Sequence, residues 1–204
     1  MTAASTQRVP LESGDRLTRA EFHRRYCARP DIKRAELVEG VVYVGSPVSR
    51  AHGGPHGQVV VWLGAYASRR PGLEMLDNTT VILDDDNEVQ PDALLWRAEP
   101  GGPRLNEDGY LEGAPQLVVE IAVSSASYDL HDKMRAYRRN RVREYVVWRV
   151  LDEAIDWFQL VDGEYQRVVP DERGIIESNV FPELRLHVGK MLAGDLAGVL
   201  AELG

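Results

Sequence analysis

Two carboxylates stand where carboxylates are costly. Asp92 heads the apolar run ALLW, and Glu120 sits in the middle of residues 117–123, LVVEIAV, a run too apolar and β-branched to be anything but a buried strand. An unpaired carboxylate in such a strand is expensive to desolvate, so each needs a partner. A shared divalent cation would meet that need, and oxygen-only donors favour a hard ion, Mg²⁺ or Mn²⁺, which binds through one or two carboxylates and keeps several waters. Asp129, Lys133 and Tyr137 follow at four-residue spacing, which stacks them on one face of a helix directly after the strand. Such an ion activates water and stabilises charge building on a phosphoryl oxygen, and the Lys133 ammonium serves the same charge. Together these groups suit phosphodiester hydrolysis. Two other readings use the same residues: Glu120 paired with an arginine while Asp92 caps a strand end, or a metal-free acid–base pair of the glycosidase kind, for which the sequence offers no sugar-binding aromatic surface.

Positioning these groups takes a folded core, and the chain can build one. Its 204 residues are 44% hydrophobic and 27% charged, enough for one sizeable core and short for two. The single cysteine, Cys27, excludes an internal disulfide, and no basic-then-apolar leader opens the sequence, so a reducing cytoplasm is the expected compartment. No apolar run approaches the roughly 20 residues of a membrane span. The net charge of −8 argues against nonspecific nucleic-acid affinity over the whole surface. That objection is weaker locally, because Arg135, Arg138, Arg139, Arg141 and Arg143 crowd together after Lys133; phosphate grip and surface ion pairing are both open for them.

In chain order, residues 1–17 show no period and are expected to form a loose arm, with residues 18–204 a single domain. Thr18 and Glu21 make a capping box that opens a short helix ending near Arg29-Pro30. AELVEGVVYVGSP reads as a hairpin turning at Glu39-Gly40. A loop with His52, Gly53, Gly54 and Pro55 precedes a second helix that starts at His56; the glycines and proline speak against a helical zinc pair of His52 and His56. Residues 73–76, 80–83 and 93–96 read as strands, Asp84–Glu88 as a solvated turn, and residues 98–114 as a surface loop. After the central strand and its helix, residues 144–150 and 154–160 pair antiparallel, Asp162-Gly163 turns a further hairpin, and residues 190–203 close the chain as one amphipathic helix. The pattern is α+β, a mixed sheet flanked by helices.

The order ELVEG, QPD, VVEIAVSS, an Asp-x-x-x-Lys-x-x-x-Tyr helix and EYVVW resembles the Uma-two group of restriction endonuclease-like proteins, within the PD-(D/E)XK nuclease superfamily, over roughly residues 20–187. The resemblance implies a restriction-endonuclease-like mixed central sheet flanked by helices, here with additional antiparallel C-terminal strands, and a Mg²⁺-dependent cut of DNA. It makes Asp92 and Glu120 metal ligands, Lys133 the lysine moved from strand to helix, and Glu36 the upstream acid, ahead of Glu39, which faces the other way along an extended strand. The superfamily's usual lysine lies two positions beyond the strand acid, where this chain has Ala122. His56 resembles a histidine of the group, open to a substrate role or an ordinary helix-start role; Asp129 is expected as the i, i+4 partner of Lys133, and Tyr137 as core packing. Cutting both strands of a duplex calls for two active sites, so a homodimer is expected.

Overall fold

The computed structural model describes residues 9–204. Its elements are α1 (Arg19–Cys27), β1 (Ala35–Val38), β2 (Val41–Val44), α2 (Arg50–Ala67), β3 (Glu74–Asp77), β4 (Val81–Asp84), β5 (Asn87–Val89), β6 (Ala93–Trp96), β7 (Arg104–Leu105), β8 (Leu111–Glu112) and β9 (Leu117–Ala122). They continue with α3 (Ala126–Tyr128), a π-helical turn (Asp129–Lys133), α4 (Met134–Arg139), β10 (Glu144–Arg149), β11 (Ala154–Val161), β12 (Glu164–Val168), β13 (Ile175–Glu177), β14 (Arg185–His187), α5 (Val188–Leu192) and α6 (Leu196–Leu200). The fold is mixed α+β. One six-stranded sheet runs β2-β1-β5-β4-β8-β7, the other β12-β11-β10-β9-β6-β3, and β13 pairs with β14.

The second sheet sets the site. Strand β9 is buried from end to end and lies between β6, antiparallel, and β10, parallel. Its side chains alternate. Leu117, Val119 and Ile121 join a core with Trp62, Leu63 and Tyr66 of α2, whereas Val118 and Ala122 join a second core with Ala136 and Tyr137 of α4. Glu120 shares the second face, so the strand's period aims it at the helix that follows. The parallel step from β9 to β10 needs a crossover, and α3, the π-turn and α4 supply it.

Several expected elements differ in detail. Thr18 caps α1 by accepting from the amide of Glu21, and the β1–β2 turn places Glu39 and Gly40 at φ 52° and 72°, as the two-residue hairpin requires. Of the expected loose arm, residues 1–8 lie outside the described residues, but residues 9–17 are docked: Leu11 is buried and the amide of Gly14 donates to the Val42 carbonyl. Helix α2 begins at Arg50, so His52 and the glycines belong to it. A side chain at Gly53, Gly54 or Gly57 would start in open space, so these glycines serve no close packing and cost helix propensity, which polar anchoring of His52 and His56 offsets. The Asp84–Glu88 segment is a hairpin whose Asn87 and Glu88 are buried in β5; Asn87 Oδ1 accepts from the Glu39 amide and locks the two turns together. The 98–114 loop contains β7 and β8. The closing helix is two short ones, broken where Gly194 takes φ 76° and Asp195 caps α6. The C-terminal strands β11 and β12 are antiparallel, as read from the sequence.

Leu63 is fully enclosed between α2 and the sheet, while Val169 is 73% exposed. Leu63→Ala is expected to cost about 2–5 kcal/mol in urea unfolding and Val169→Ala less than about 0.5 kcal/mol; comparable losses would contradict the core assignment.

Candidate active site

Three strands and one helix converge. The β6–β9 register pairs Ala93 with Val119, so one step further Asp92 stands across from Glu120. The Ile121 amide donates to Asp92 Oδ2 at 2.7 Å, which fixes the carboxylate against the strand next door. Glu36 arrives from β1, in the other sheet, and its Oε1 accepts from the Gln90 amide at 2.7 Å, just before Asp92 in the chain. Glu39, by contrast, sits on the turn and pairs with Arg139.

Lys133 closes the arrangement from the crossover helix. Its ammonium, 1% exposed, is 2.9 Å from Glu36 Oε1 and 2.6 Å from Glu120 Oε1. The hydroxyl of Tyr137 donates to the same Glu120 oxygen at 2.7 Å, so Tyr137 is more than core packing. The expected direct pairing of Asp129 with Lys133 gives way to another partner: the Ser125 hydroxyl donates to Asp129 Oδ2 at 2.6 Å. The π-turn between them explains the change, because its wider i→i+5 repeat takes residues four apart out of vertical register.

Arg34, His52 and His56 complete the surroundings. Arg34 donates to Asp92 Oδ1 at 2.9 Å and to the Gln90 carbonyl at 2.6 Å, and its guanidinium lies 3.9 Å from both Glu36 and Glu120. His52 Nε2 is 3.2 Å from Asp92 Oδ2. His56 Nε2 reaches the Asp92 carbonyl at 2.9 Å and Asp77 at 2.8 Å, a contact that holds the backbone under the acid. Arg34 was invisible as a site residue because a basic residue ahead of a strand carries no periodic signal. His52 could have been found from its helical spacing to His56, had the helix been started at Ser49.

Burial dominates the electrostatics. It raises Glu120, with Asp92, Asp129 and Glu36 crowding it in the same direction and Lys133 opposing, and it raises Asp129 in the same way. Asp92 goes the other way: the hydrogen bond from His52, the Arg34 charge and the Ile121 amide overcome burial and hold its carboxyl well below the usual range. Lys133 is raised, since Glu120, Glu36 and Asp129 outweigh its desolvation. Four carboxylates thus face two permanent cations.

These groups line a cleft of about 980 Å³ whose mouth includes Lys33, Pro47 and Val48. Among the described residues no three His, Cys, Asp or Glu side chains form a closed metal cage. Asp92 and Glu120 nonetheless fit a hydrated Mg²⁺ or Mn²⁺: both are oxygen donors, they face one cleft from opposed strands, and a divalent charge would relieve the crowding that raises Glu120. Four of the five arginines after Lys133 make surface ion pairs: Arg135 with Asp132, Arg138 with Glu164, Arg139 with Asp84 and Arg143 with Glu99.

Residues 19–189 match the family model described as "Uma2: Putative restriction endonuclease". The fold is similar to a crystal structure from Anabaena variabilis ATCC 29413, described as "a putative nuclease belonging to DUF820", with a TM-score of 0.64 at 12% identity over 78% of this chain and 89% of that one. No curated protein matches the chain. Among the described residues no helix is long and apolar enough to cross a membrane.

If Lys133 neutralises the buried acids, Lys133→Met leaves them unpaired and should cost about 3–5 kcal/mol in chemical denaturation. Adding Glu120→Gln should then recover more than about 1 kcal/mol; an additive double variant would contradict the pairing.

Proposed function

Because the chain belongs to the Uma2 family, we propose that it is a metal-dependent endodeoxyribonuclease that hydrolyses DNA phosphodiester bonds. The observation that carries this reading is the juxtaposition of Asp92 and Glu120 on opposed strands at one cleft, with the Lys133 ammonium 2.6 Å from Glu120. Asp92 and Glu120 would hold Mg²⁺ or Mn²⁺, which when bound would supply Lewis-acid chemistry to phosphodiester hydrolysis.

The protein's own groups do the rest. The Ile121 amide and His52 keep Asp92 ionised and oriented; Glu36 and Tyr137 fix the ends of the Lys133–Glu120 pair. Lys133 holds a positive charge at the buried side of the site, where it balances the charge that grows on the phosphate and orients the attacking water. Arg34 and Lys33 offer cations at the cleft to DNA phosphates. Arg34 therefore exchanges part of its carboxylate contact for phosphate when substrate enters. Two copies acting together would cut both strands, and a single copy would nick.

A second reading has two observations in its favour. Ala122 occupies the superfamily's usual lysine position, and the Lys133 ammonium is already shared between two carboxylates, as in a nucleic-acid-binding protein that does not turn over. One experiment separates the two. Purified protein is incubated with supercoiled plasmid in Mg²⁺, Mn²⁺ or chelator, beside Asp92→Asn and Glu120→Gln. The nuclease reading expects nicked or linear DNA only with metal, and a loss of at least about 100-fold in each variant. Plasmid that is shifted in a gel but never cut would favour the silent binder, and cutting that persists in both variants would overturn the site.

A further inference from the structure

A second cluster of reactive side chains lies on α1 and β5, and none of its members lines the cleft. His23 and Cys27 are one helical turn apart, with His23 Nε2 3.5 Å from Cys27 Sγ. The other ring nitrogen, Nδ1, is 2.8 Å from Glu88 Oε1. Glu88 is 2% exposed, and its second oxygen, Oε2, is enclosed without a hydrogen-bond partner. The ring of Tyr110 stands edge-on to the imidazole at 5.3 Å and restrains its tilt. The thiol itself is exposed, so a reagent can reach it.

The order is nucleophile, base and orienting acid. Burial raises the Glu88 carboxyl and the hydrogen bond with His23 opposes that shift; in its ionised form the carboxylate only accepts, so the ring nitrogen facing it then carries the proton and Nε2 is left to accept from the thiol. Cys27 is the last residue of α1, one turn beyond His23. His23 takes the Sγ proton as the thiol attacks, and Glu88 steadies the imidazolium that results. One oxygen of Glu88 is partnered, the one on the imidazole.

We propose that Cys27 is a modification site, a thiol activated by His23 and Glu88 that forms mixed disulfides with low-molecular-weight disulfides. The thiolate attacks one sulfur of the small disulfide; the new bond to Cys27 forms as the original S–S bond breaks. The departing sulfur leaves as a thiolate and takes the proton held on His23 Nε2. The small disulfide is the only oxidant consumed. Cys27 is the chain's single cysteine, so no internal thiol can resolve the product and it persists until an external thiol removes it.

The test uses the full chain and oxidised glutathione at neutral pH, with intact mass followed over time for the native protein, the His23→Gln variant and the native chain unfolded in guanidinium. The native protein should gain one glutathionyl group at least about tenfold faster than either comparison. Iodoacetamide, a smaller reagent, should reproduce the ratio and guards against steric exclusion of glutathione. Equal rates for native protein and His23→Gln with iodoacetamide would overturn the proposal.

Discussion

The ammonium of Lys133 is sealed between Glu36 and Glu120. Glu36 belongs to a strand of one sheet and Glu120 to the central strand of the other, so a single buried charge joins both sheets to the crossover helix. Burying a lysine costs several kcal/mol unless opposed charges and hydrogen bonds replace water. Two carboxylates, themselves held by the Gln90 amide and the Tyr137 hydroxyl, provide that replacement. The π-turn is the local adjustment that brings the lysine there, and it leaves Asp129 to Ser125.

Around that pair the charge balance is deliberately unequal. Asp92 is held ionised by Arg34, His52 and a backbone amide, whereas Glu120 is pushed toward its neutral form by burial and neighbouring acids. Opposed shifts of this kind in two carboxylates facing one cleft recur at functional sites, and structural ion-pair networks produce them too. Arg34 lines the same cleft, paired with Asp92 and partly exposed, and under the proposed function it would share that neighbourhood with the divalent ion and the phosphate.

Much of this was legible in the sequence for physical reasons. The β-branched run around Glu120 could only be a buried strand, and an acid inside it had to be paired. The hairpin at Glu39-Gly40 carries a glycine where the two-residue turn needs positive φ, and of the two acids only Glu36, within the strand, reaches the site, because Glu39 sits on the turn itself. The failures have equally specific causes. Gly53, Gly54 and Pro55 argue locally against a helix, yet tertiary contacts of His52 and His56 with Asp92 and Asp77 carry α2 through them. The π-turn leaves no mark in a four-residue repeat. Residues of the Asp84–Glu88 segment looked solvated because their acids were counted and their strand pairing was not. Arg34 is a site residue through long-range geometry alone.

If Asp92 and Glu120 together hold a divalent ion, Mn²⁺ must bind the metal-free protein, which titration calorimetry reads beside Asp92→Asn with its circular dichroism checked. Saturable binding is expected for the native chain, with at least about a tenfold weaker affinity in the folded variant. Binding of equal strength in the two proteins, or none by the native chain, would contradict the shared metal site.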